Sequence, residues 1–422
     1  MSADVLVVGA GSAGCVVAER LSRDPQRRVV VVEAGPVVPA DDDSRRLDRL
    51  VLGSPTHPAP CARWYGDRPP LVRGHAVGGS SVVNGGYFLR AHHDDFDGWG
   101  GPFDTVTISQ AYDELDGWGN GGTMTVDSLH VPPPVVRSLE RAWPRTPPRP
   151  WPGIGVQRVP VNHRGGRRWT AADAYLDPAS RRPNLDVRPG SPVGGLLVER
   201  GRVAGVRLAS GGELRAGEVI LCAGTLGTAA LLMASGVLPG PLPVFEHREI
   251  LVRYSARTRP EPAPVLLPSV VHTAGGAEIR LYADDFARFI QGARRSSPAV
   301  GVAEMRPAQA GELRLDGDRL DVHLAPIGPV DDAVARVVEV LSSADLAEHV
   351  VDGSVHVDPV IGTSQHAWGA LAMGERTDWL GAVDGVRGLR VVDGSILPNV
   401  SSGPHATIMM AAIVIGDQLR SL

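Results

Sequence analysis

Aliphatic and polar residues alternate in blocks at the start of the chain. Residues 5–8 and 29–32 are continuous apolar runs, as expected for strands that are buried on both faces of a parallel sheet. Residues 12–23 between them have the pattern of a helix, which Asp24-Pro25 would end. The pattern therefore predicts a strand–helix–strand unit at the start of the chain.

The middle of the chain shows irregular and regular patterns in succession. Residues 36–72 are rich in Pro, Asp and Arg and predict a loop-dominated excursion, and residues 100–183 are irregular, with clusters of proline. Regular order then returns, with a predicted hairpin around residues 210–212, a separate buried strand at 219–222 and a helix at 225–235.

The last part of the chain predicts antiparallel strands and two further helices. Residues 312–315 and 320–324 alternate with period two, which indicates a hairpin with one solvated face. Residues 331–341 carry valines and a leucine on one stripe of a helix, and a final helix is predicted at residues 407–419.

These elements predict an α/β protein, α+β in overall character, in which two domains are interleaved. We expect a Rossmann-like nucleotide-binding domain formed by residues 1–99, 184–240 and 355–422. Residues 100–183 and 241–354 would form a substrate-binding domain that is built on an antiparallel sheet with helices. Each domain would then be discontinuous along the chain.

A glycine motif joins the first predicted strand to the first predicted helix. Gly9, Gly11 and Gly14 have the spacing that allows a tight turn, close backbone approach to a pyrophosphate and close helix–strand packing. Glu33 ends the second strand, where an acid accepts hydrogen bonds from ribose hydroxyls. The spacing recurs at residues 117–122, but no buried strand precedes it, so we expect a loop there. The first motif predicts a dinucleotide without choosing between FAD and NAD.

Composition narrows the chemistry further. All 42 basic residues are arginine, which excludes Schiff-base chemistry and the phosphate-loop nucleotide fold, since both need a lysine. The formal net charge of −5 gives no indication of nucleic-acid binding. The three cysteines are far apart, so we expect no zinc or other metal site and a reducing, cytoplasmic location. The longest apolar run, residues 406–415, is too short to span a bilayer.

Further segments resemble the signatures of the glucose-methanol-choline (GMC) oxidoreductases. Residues 73–90, which contain Gly78-Gly79-Ser80-Ser81, are similar to the first signature of that family, and residues 184–239 resemble its second region. The most specific match is C-terminal, where residues 366–374 resemble the His-x-x-Gly-Thr-x-x-Met-Gly motif and two similar segments follow, 383–395 and 405–410.

This resemblance implies that the dinucleotide is FAD. The final helix, predicted to begin at Thr407, would direct its N-terminal dipole at the flavin and stabilise negative charge during reduction. The residues expected to bind FAD are Gly9, Gly11, Ser12, Ala13, Gly14, Glu33, Ala34, Arg73, Gly78, Gly79, Ser80, Asn84, Gly85, Gly86, Val193, Ala223, Gly224, Asp393, Gly394, His405, Ala406 and Thr407.

The resemblance also implies oxidation of a small-molecule alcohol to a carbonyl compound. In GMC enzymes a base takes the hydroxyl proton while a hydride passes from carbon to flavin N5. By motif position His366 is the expected base and His405 would orient the alkoxide. The other eleven histidines are expected to be ordinary core or surface residues. Ala370, Leu371 and the pair Thr228-Ala229 depart from the usual family residues around the flavin.

Two features refine this expectation and leave alternatives open. Val83 occupies the position at which some members attach FAD to a histidine, so we expect non-covalent FAD. The short chain resembles the GMC proteins associated with the mycofactocin redox system, which implies a dehydrogenase linked to a peptide-derived cofactor. The alternatives are a catalytically degraded flavin-binding or electron-transfer partner, a pyridine-nucleotide-reducing flavoenzyme and a lyase on the same fold. No motif names the alcohol.

Overall fold

The computed structural model describes residues 3–66, 69–119, 121–128, 131–147, 150–258 and 263–422. Its helices are α1 (Ser12–Leu21), α2 (Thr105–Asp116), α3 (Pro134–Glu140), α4 (Asp177–Ala179), α5 (Gly224–Ala234), α6 (Asp331–Leu341) and α7 (Pro404–Ser421). Its strands are β1 (Ala3–Val8), β2 (Val29–Val32), β3 (Ala62–Tyr65), β4 (Leu71–Gly74), β5 (Val126–Asp127), β6 (Gly155–Arg158), β7 (Val161–Arg164), β8 (Arg167–Arg168), β9 (Leu185–Arg188), β10 (Val193–Glu199), β11 (Arg202–Leu208), β12 (Glu213–Leu221), β13 (Leu242–Val244), β14 (Arg248–Arg253), β15 (Ser269–His272), β16 (Ala277–Leu281), β17 (Ala299–Glu304), β18 (Gly311–Asp316), β19 (Arg319–His323), β20 (His356–Val357), β21 (Gly362–Thr363) and β22 (Leu389–Val391).

A parallel sheet forms the centre of the protein. Five strands run in the order β22-β12-β1-β2-β9, and every pair among them is parallel. All four valines of β2 are buried, as the continuous apolar run predicted. The strands β10 and β11 extend the sheet as an antiparallel hairpin along the first part of β12. The predicted α/β class with a Rossmann-type sheet is confirmed.

One strand replaces two predicted ones in this sheet. The sequence pattern separated the second arm of the hairpin from a buried strand at 219–222, but β12 is continuous from Glu213 to Leu221. Its first residues pair with β11, and its later residues pair with β1 and β22. The division is wrong because the change from alternating to continuous apolar residues marks a change of neighbours, not the end of a strand.

The region 100–183 is more regular than its sequence pattern predicts. It contains α2, whose N-terminus is capped by the Asp104 carboxylate, which accepts hydrogen bonds of 2.9 Å from the Val106 and Thr107 amides. Gly117 ends this helix with a φ of +60°, so the second glycine motif follows a helix and not a strand. Residues 36–72, predicted as a loop-dominated excursion, include β3 and the first half of β4, which pair with each other.

A second, antiparallel sheet has the order β20-β14-β17-β16-β15-β6, and β21 pairs with the other end of β14. The predicted hairpin is present as β18 and β19, but it pairs with β13 in a separate sheet, and Leu313 and Leu320 join the core of the parallel sheet. The strands β20 and β21 lie in the segment that the sequence assigns to the nucleotide-binding domain. The domain boundaries remain a prediction.

The last helix, α7, begins earlier than predicted. Its first residue is Pro404 and not Thr407, because proline is preorganised for the first helical position and Gly403 takes the cap. His405 therefore lies in the first helical turn. The helix packs against α1, where the buried Arg20 contacts Glu19, Glu114 and Asp417 at 2.9, 2.5 and 3.3 Å. No helix among the described residues has the length and apolar character needed to cross a membrane.

Candidate active site

The glycine motif forms the turn between β1 and α1 that the sequence predicts. Gly9 has a φ of +101°, and a Cβ atom at that residue would lie 2.5 Å from the Cys222 carbonyl oxygen. A Cβ atom at Gly14 would lie 1.9 Å from the Gly9 carbonyl oxygen, so helix and turn can approach only without side chains. Gly11 caps α1 without a side-chain hydrogen bond, which leaves the amides of Ser12 and Ala13 available to a ligand.

The Glu33 carboxylate holds this turn in shape. It accepts hydrogen bonds of 2.8 Å from the amides of Ala10 and Gly35, one on each oxygen. Burial raises the pKa of Glu33, and the hydrogen bonds from these two amides oppose that effect. Each carboxylate oxygen keeps a further lone pair, so Glu33 can also accept from a ribose hydroxyl group.

A second glycine loop lies directly on the first. Gly78 donates its amide proton to the Ala10 carbonyl oxygen at 2.7 Å. Gly79 has a φ of +54°, and a Cβ atom there would lie 2.6 Å from the Gly11 Cα atom. The neighbouring Ser80 hydroxyl accepts the Gly74 amide at 3.0 Å, which ties the loop to β4. The two motifs, separated by about seventy residues in the sequence, therefore form one backbone cradle.

The ends of β12 and β22 bring another group of predicted residues together. The Asp393 carboxylate accepts the Thr228 hydroxyl at 2.6 Å and the Ser395 amide at 2.8 Å. Burial raises the pKa of Asp393, and the Ser395 and Thr228 hydrogen bonds oppose this. Thr228, a departure from the family pattern, thus retains a contact to the predicted Asp393. A Cβ atom at Gly394 would lie 2.8 Å from the Thr225 hydroxyl, and Ala223 and Gly224 open α5 beside it.

The other predicted cofactor residues flank these loops. The Ser191 amide donates a hydrogen bond of 2.7 Å to the Glu33 carbonyl oxygen. This contact brings the segment that leads to Val193 beside Ala34. The Nη2 atom of Arg73 is buried without a hydrogen-bond partner among the described residues, so it can serve a ligand. The predicted residues in the loop that follows β4 and in the first turns of α7 are Asn84, Gly85, Gly86, Ala406 and Thr407.

His405 is held by the asparagine of the second glycine loop. Its Nδ1 atom lies 3.2 Å from the Asn84 side-chain nitrogen, and Phe88 contacts the ring edge-to-face at 5.2 Å between centroids. Burial lowers the pKa of His405 to about 4, so the ring is neutral at neutral pH. Because the Asn84 amide donates to Nδ1, the proton is on Nε2, which has no partner among the described residues.

His366 contacts a third histidine that the sequence analysis set aside. Its Nδ1 atom lies 2.8 Å from Nδ1 of His247, whose Nε2 atom lies 2.8 Å from the Val400 carbonyl oxygen. Burial lowers the pKa of His247 to about 3, and the pKa of His366 is also lowered, by burial and then by His247. The sequence predicts that His247 is an ordinary core or surface residue; it is buried in the core, and it also contacts the predicted site residue His366. The local sequence gives no signal for this contact, since the two histidines are 119 residues apart.

Glu246 fixes the backbone on which His366 stands. Its buried carboxylate accepts the amides of His366 and Ala367, each at 2.9 Å. The adjacent pair Glu246-His247 therefore holds both the main chain and the side chain of His366. Neither residue was predicted, because an acid beside a histidine is common and shows this role only once β14 and the segment 361–368 come together.

A buried arginine links the surface loop after β2 to the same site. Arg168 donates to the carbonyl oxygen of Asn84 through Nε and to those of Ser44, Arg46 and Arg49 through Nη1. Burial, followed by the nearby Arg45, lowers the pKa of Arg168 to about 9, so it remains charged at neutral pH. A single guanidinium group thus holds both the loop and the asparagine that contacts His405.

The site therefore combines a backbone cradle at helix N-termini with two half-buried, neutral imidazole rings. His405 presents an N–H donor at Nε2, and the contact of His366 to His247 uses Nδ1, so Nε2 is the ring nitrogen of His366 that is left for a ligand. Such a pair can accept a proton from a hydroxyl group and bind the resulting oxygen anion. The cradle has the open amides that suit the phosphates of a dinucleotide.

Most of the chain matches models of a known protein family, and a full-length relative is similar to it. A family model described as GMC oxidoreductase matches residues 3–244, and a second with the same description matches residues 308–412. An uncharacterized GMC-type oxidoreductase from Rhodococcus erythropolis is 30% identical over an alignment of 498 positions, which covers 99% of each chain.

Two further proteins resemble parts or all of the chain. An alcohol dehydrogenase [acceptor] from Pseudomonas putida is 30% identical over an alignment of 272 positions, which covers 56% of this chain and 48% of that enzyme. The solved structure of a pyridoxine 4-oxidase from Mesorbium loti superposes with a TM-score of 0.85 at 23% identity, covering 100% of both chains. At that identity the likeness concerns the fold.

Proposed function

Since the chain belongs to the GMC oxidoreductase family, we propose that it oxidises an alcohol to a carbonyl compound with FAD as cofactor. The observation that carries this proposal is the pair of histidines, each of which is held through Nδ1. Nδ1 of His366 contacts His247 and Nδ1 of His405 contacts Asn84, so a ligand would meet the Nε2 atom of either ring. Alcohol oxidation needs one proton acceptor and one hydrogen-bond donor.

The chemistry of the described residues suits FAD. The amides of α1 behind Gly11 suit a pyrophosphate, and Glu33 retains lone pairs for a ribose. The N-terminus of α7 is capped by Gly403 without a side chain, so its first amides are free to stabilise negative charge on a flavin ring. FAD, when bound, supplies the hydride acceptor of the reaction.

The side chains supply the proton chemistry. Nε2 of His366 accepts the hydroxyl proton of the alcohol, and the oxygen that is left with negative charge accepts a hydrogen bond from Nε2–H of His405. The oxygen then forms the carbonyl double bond as a hydride leaves carbon. The alcohol thus loses one proton and one hydride, and its product is an aldehyde or ketone.

The name of the similar enzyme from Pseudomonas putida, alcohol dehydrogenase [acceptor], supports an alcohol as the donor and a separate acceptor for the electrons. We further propose that the enzyme is a dehydrogenase whose FAD is reoxidised by a peptide-derived carrier of the mycofactocin type. The three free, buried cysteines fit a reducing, cytoplasmic location for this reaction.

Reduction of the flavin by an alcohol tests the proposed function directly. A panel of primary and secondary alcohols is added anaerobically to the FAD-loaded protein, and absorbance near the flavin maximum is followed. We expect bleaching by at least one alcohol, slow recovery with oxygen and faster recovery with a quinone-like dye or redox peptide. If no alcohol bleaches the flavin but a reduced partner protein bleaches it, the result would favour the alternative of a catalytically degraded electron-transfer partner. Rapid recovery with oxygen would contradict a dehydrogenase.

We expect FAD to be bound without a covalent link. Val83, 7% exposed and packed in an aliphatic cluster, occupies the position at which some family members use a histidine for attachment. An aliphatic side chain has no nucleophile for such a bond. Precipitation with acid should release the flavin into the supernatant and leave a colourless pellet. A yellow pellet would contradict this prediction.

A further inference from the structure

We propose that His247 is a positioning residue that holds the proton of His366 on Nδ1 and so leaves Nε2 free to act as the base. This inference rests on the proposed function, in which His366 takes the hydroxyl proton. His247 directly precedes β14. Its side chain contacts the Nδ1 atom of His366 and not the Nε2 atom.

The hydrogen bonds form a chain with one direction. The Val400 carbonyl oxygen can only accept a hydrogen bond. Nε2 of His247, 2.8 Å away, therefore carries a proton and donates the hydrogen bond. A neutral His247 then has a lone pair on Nδ1. Nδ1 of His366 lies 2.8 Å from this nitrogen, so it must carry a proton and donate the hydrogen bond to Nδ1 of His247. His366, when neutral, has no second proton, and its Nε2 remains an acceptor.

Burial keeps His247 in the neutral form that this chain needs. The side chain is fully buried, with the Trp368 ring 4.4 Å away between centroids, and burial lowers the pKa of His247 to about 3. After burial, the buried cation Arg280 also lowers the pKa of His247, whereas Glu278 raises it. At neutral pH the histidine therefore acts as an acceptor and not as a charged donor.

The charges that face His366 are consistent with the same arrangement. Arg280 and Arg73 both disfavour its protonated form, and burial has the largest effect in that direction. Arg280 itself is held by Glu278 at 2.8 Å and by Glu249 at 3.3 Å, so its charge is largely balanced. The carboxylate of Glu246 is occupied by backbone amides and makes no side-chain hydrogen bond to His366.

Position and tautomer of His366 are thus fixed by different residues. Glu246 holds the main chain, and His247 orients the ring and holds its proton. Without His247 an acceptor for Nδ1–H is lost, and the proton can move to Nε2, which removes the lone pair that the reaction needs. A histidine base held in the wrong tautomer has cost a protease about 10⁴-fold in turnover, and lost positioning contacts commonly cost about 10–100-fold.

Three variants of the FAD-loaded protein separate these effects. His247→Leu removes the acceptor and keeps an apolar volume, and His247→Asn restores an acceptor through its amide oxygen. His349→Leu is the control, because its side chain bonds to Ser138 and not to site residues. We expect the rate of flavin reduction to fall about 10²-fold in His247→Leu and to recover at least about tenfold in His247→Asn. The control should react as the unmodified protein does.

The tautomer itself is measured by nuclear magnetic resonance with ¹⁵N-labelled histidine, without an alcohol substrate. The signals of His366 are those that disappear in His366→Ala. At neutral pH we expect His366 to be protonated on Nδ1 and unprotonated on Nε2, and we expect this pattern to be lost in His247→Leu. FAD absorbance and circular dichroism show whether each variant keeps its cofactor and fold.

The outcomes distinguish the two proposals. If no alcohol reduces the flavin but the Nδ1 proton of His366 depends on His247, the proposed function fails and the positioning role of His247 stands. If alcohols reduce the flavin and His247→Leu keeps both the rate and the tautomer of the unmodified protein, the inference about His247 is overturned. A proton on Nε2 of His366 in the unmodified protein would overturn it as well.

Discussion

Flavin reduction by an alcohol is expected to slow by roughly 10²–10⁴-fold or more when His366 is replaced with alanine, while FAD stays bound. The imidazole is the group whose Nε2 is left as a proton acceptor, and alanine offers no substitute within the site. The loss should fall on the rate constant for reduction, because the backbone cradle for FAD does not use the His366 side chain. Anaerobic stopped-flow absorbance measures this rate constant directly.

The control for this prediction is a histidine outside the site. His349→Ala removes an imidazole of similar exposure that contacts Ser138, and it should leave the rate within about twofold of the unmodified protein. Turnover that is unchanged in His366→Ala would contradict the assignment of the base. A variant that has lost its yellow colour would show instead that His366 is needed for binding FAD.

The second large effect is expected at the contact between the two glycine loops. Replacing Gly79 with alanine places a Cβ atom 2.6 Å from the Gly11 Cα atom, closer than two carbon atoms can approach without bonding. The loops must then separate, and overpacking of this kind costs about 1–3 kcal/mol. We expect FAD to bind about 10- to 100-fold more weakly. Titration of the apoprotein with FAD, followed by flavin fluorescence, measures the change.

Gly317→Ala is a matched control for the backbone strain of this variant. Gly317 has a φ of +56°, close to the +54° of Gly79, but no atom lies within 4 Å of a Cβ placed there. Both variants therefore carry the cost of a left-handed backbone, and only Gly79→Ala carries the collision. Equal FAD affinity in the two variants would show that contact between the loops is not what shapes the cofactor site.

Much of the fold could be predicted from local sequence because the central strands are buried on both faces. Continuous valine runs such as that of β2 have few other interpretations, and the glycine spacing at Gly9 and Gly14 fixes the turn that follows β1. Prediction failed where neighbours decide the structure. The whole of β12 forms one strand because β11, β1 and β22 pair with its successive parts, and no local pattern shows this.

The candidate site could be predicted only in part for a related reason. His366 and His405 stand in motifs whose spacing is visible along the chain, whereas their partners come from distant segments. His247 reaches His366 because β14 carries it beside residues 361–368, and Asn84 reaches His405 over 321 residues of sequence. The identity of such partners depends on tertiary contacts, so reasoning from single segments does not find them.

The guanidinium group of Arg168 gives the surface loop and the interior a common mechanical anchor. The carbonyl oxygens of Ser44, Arg46 and Arg49 and that of Asn84 all contact this one group. The loop cannot lift away from the protein without straining the hold on Asn84, and Asn84 orients His405. Any opening of this loop to admit a large molecule is therefore coupled to a loss of order at His405.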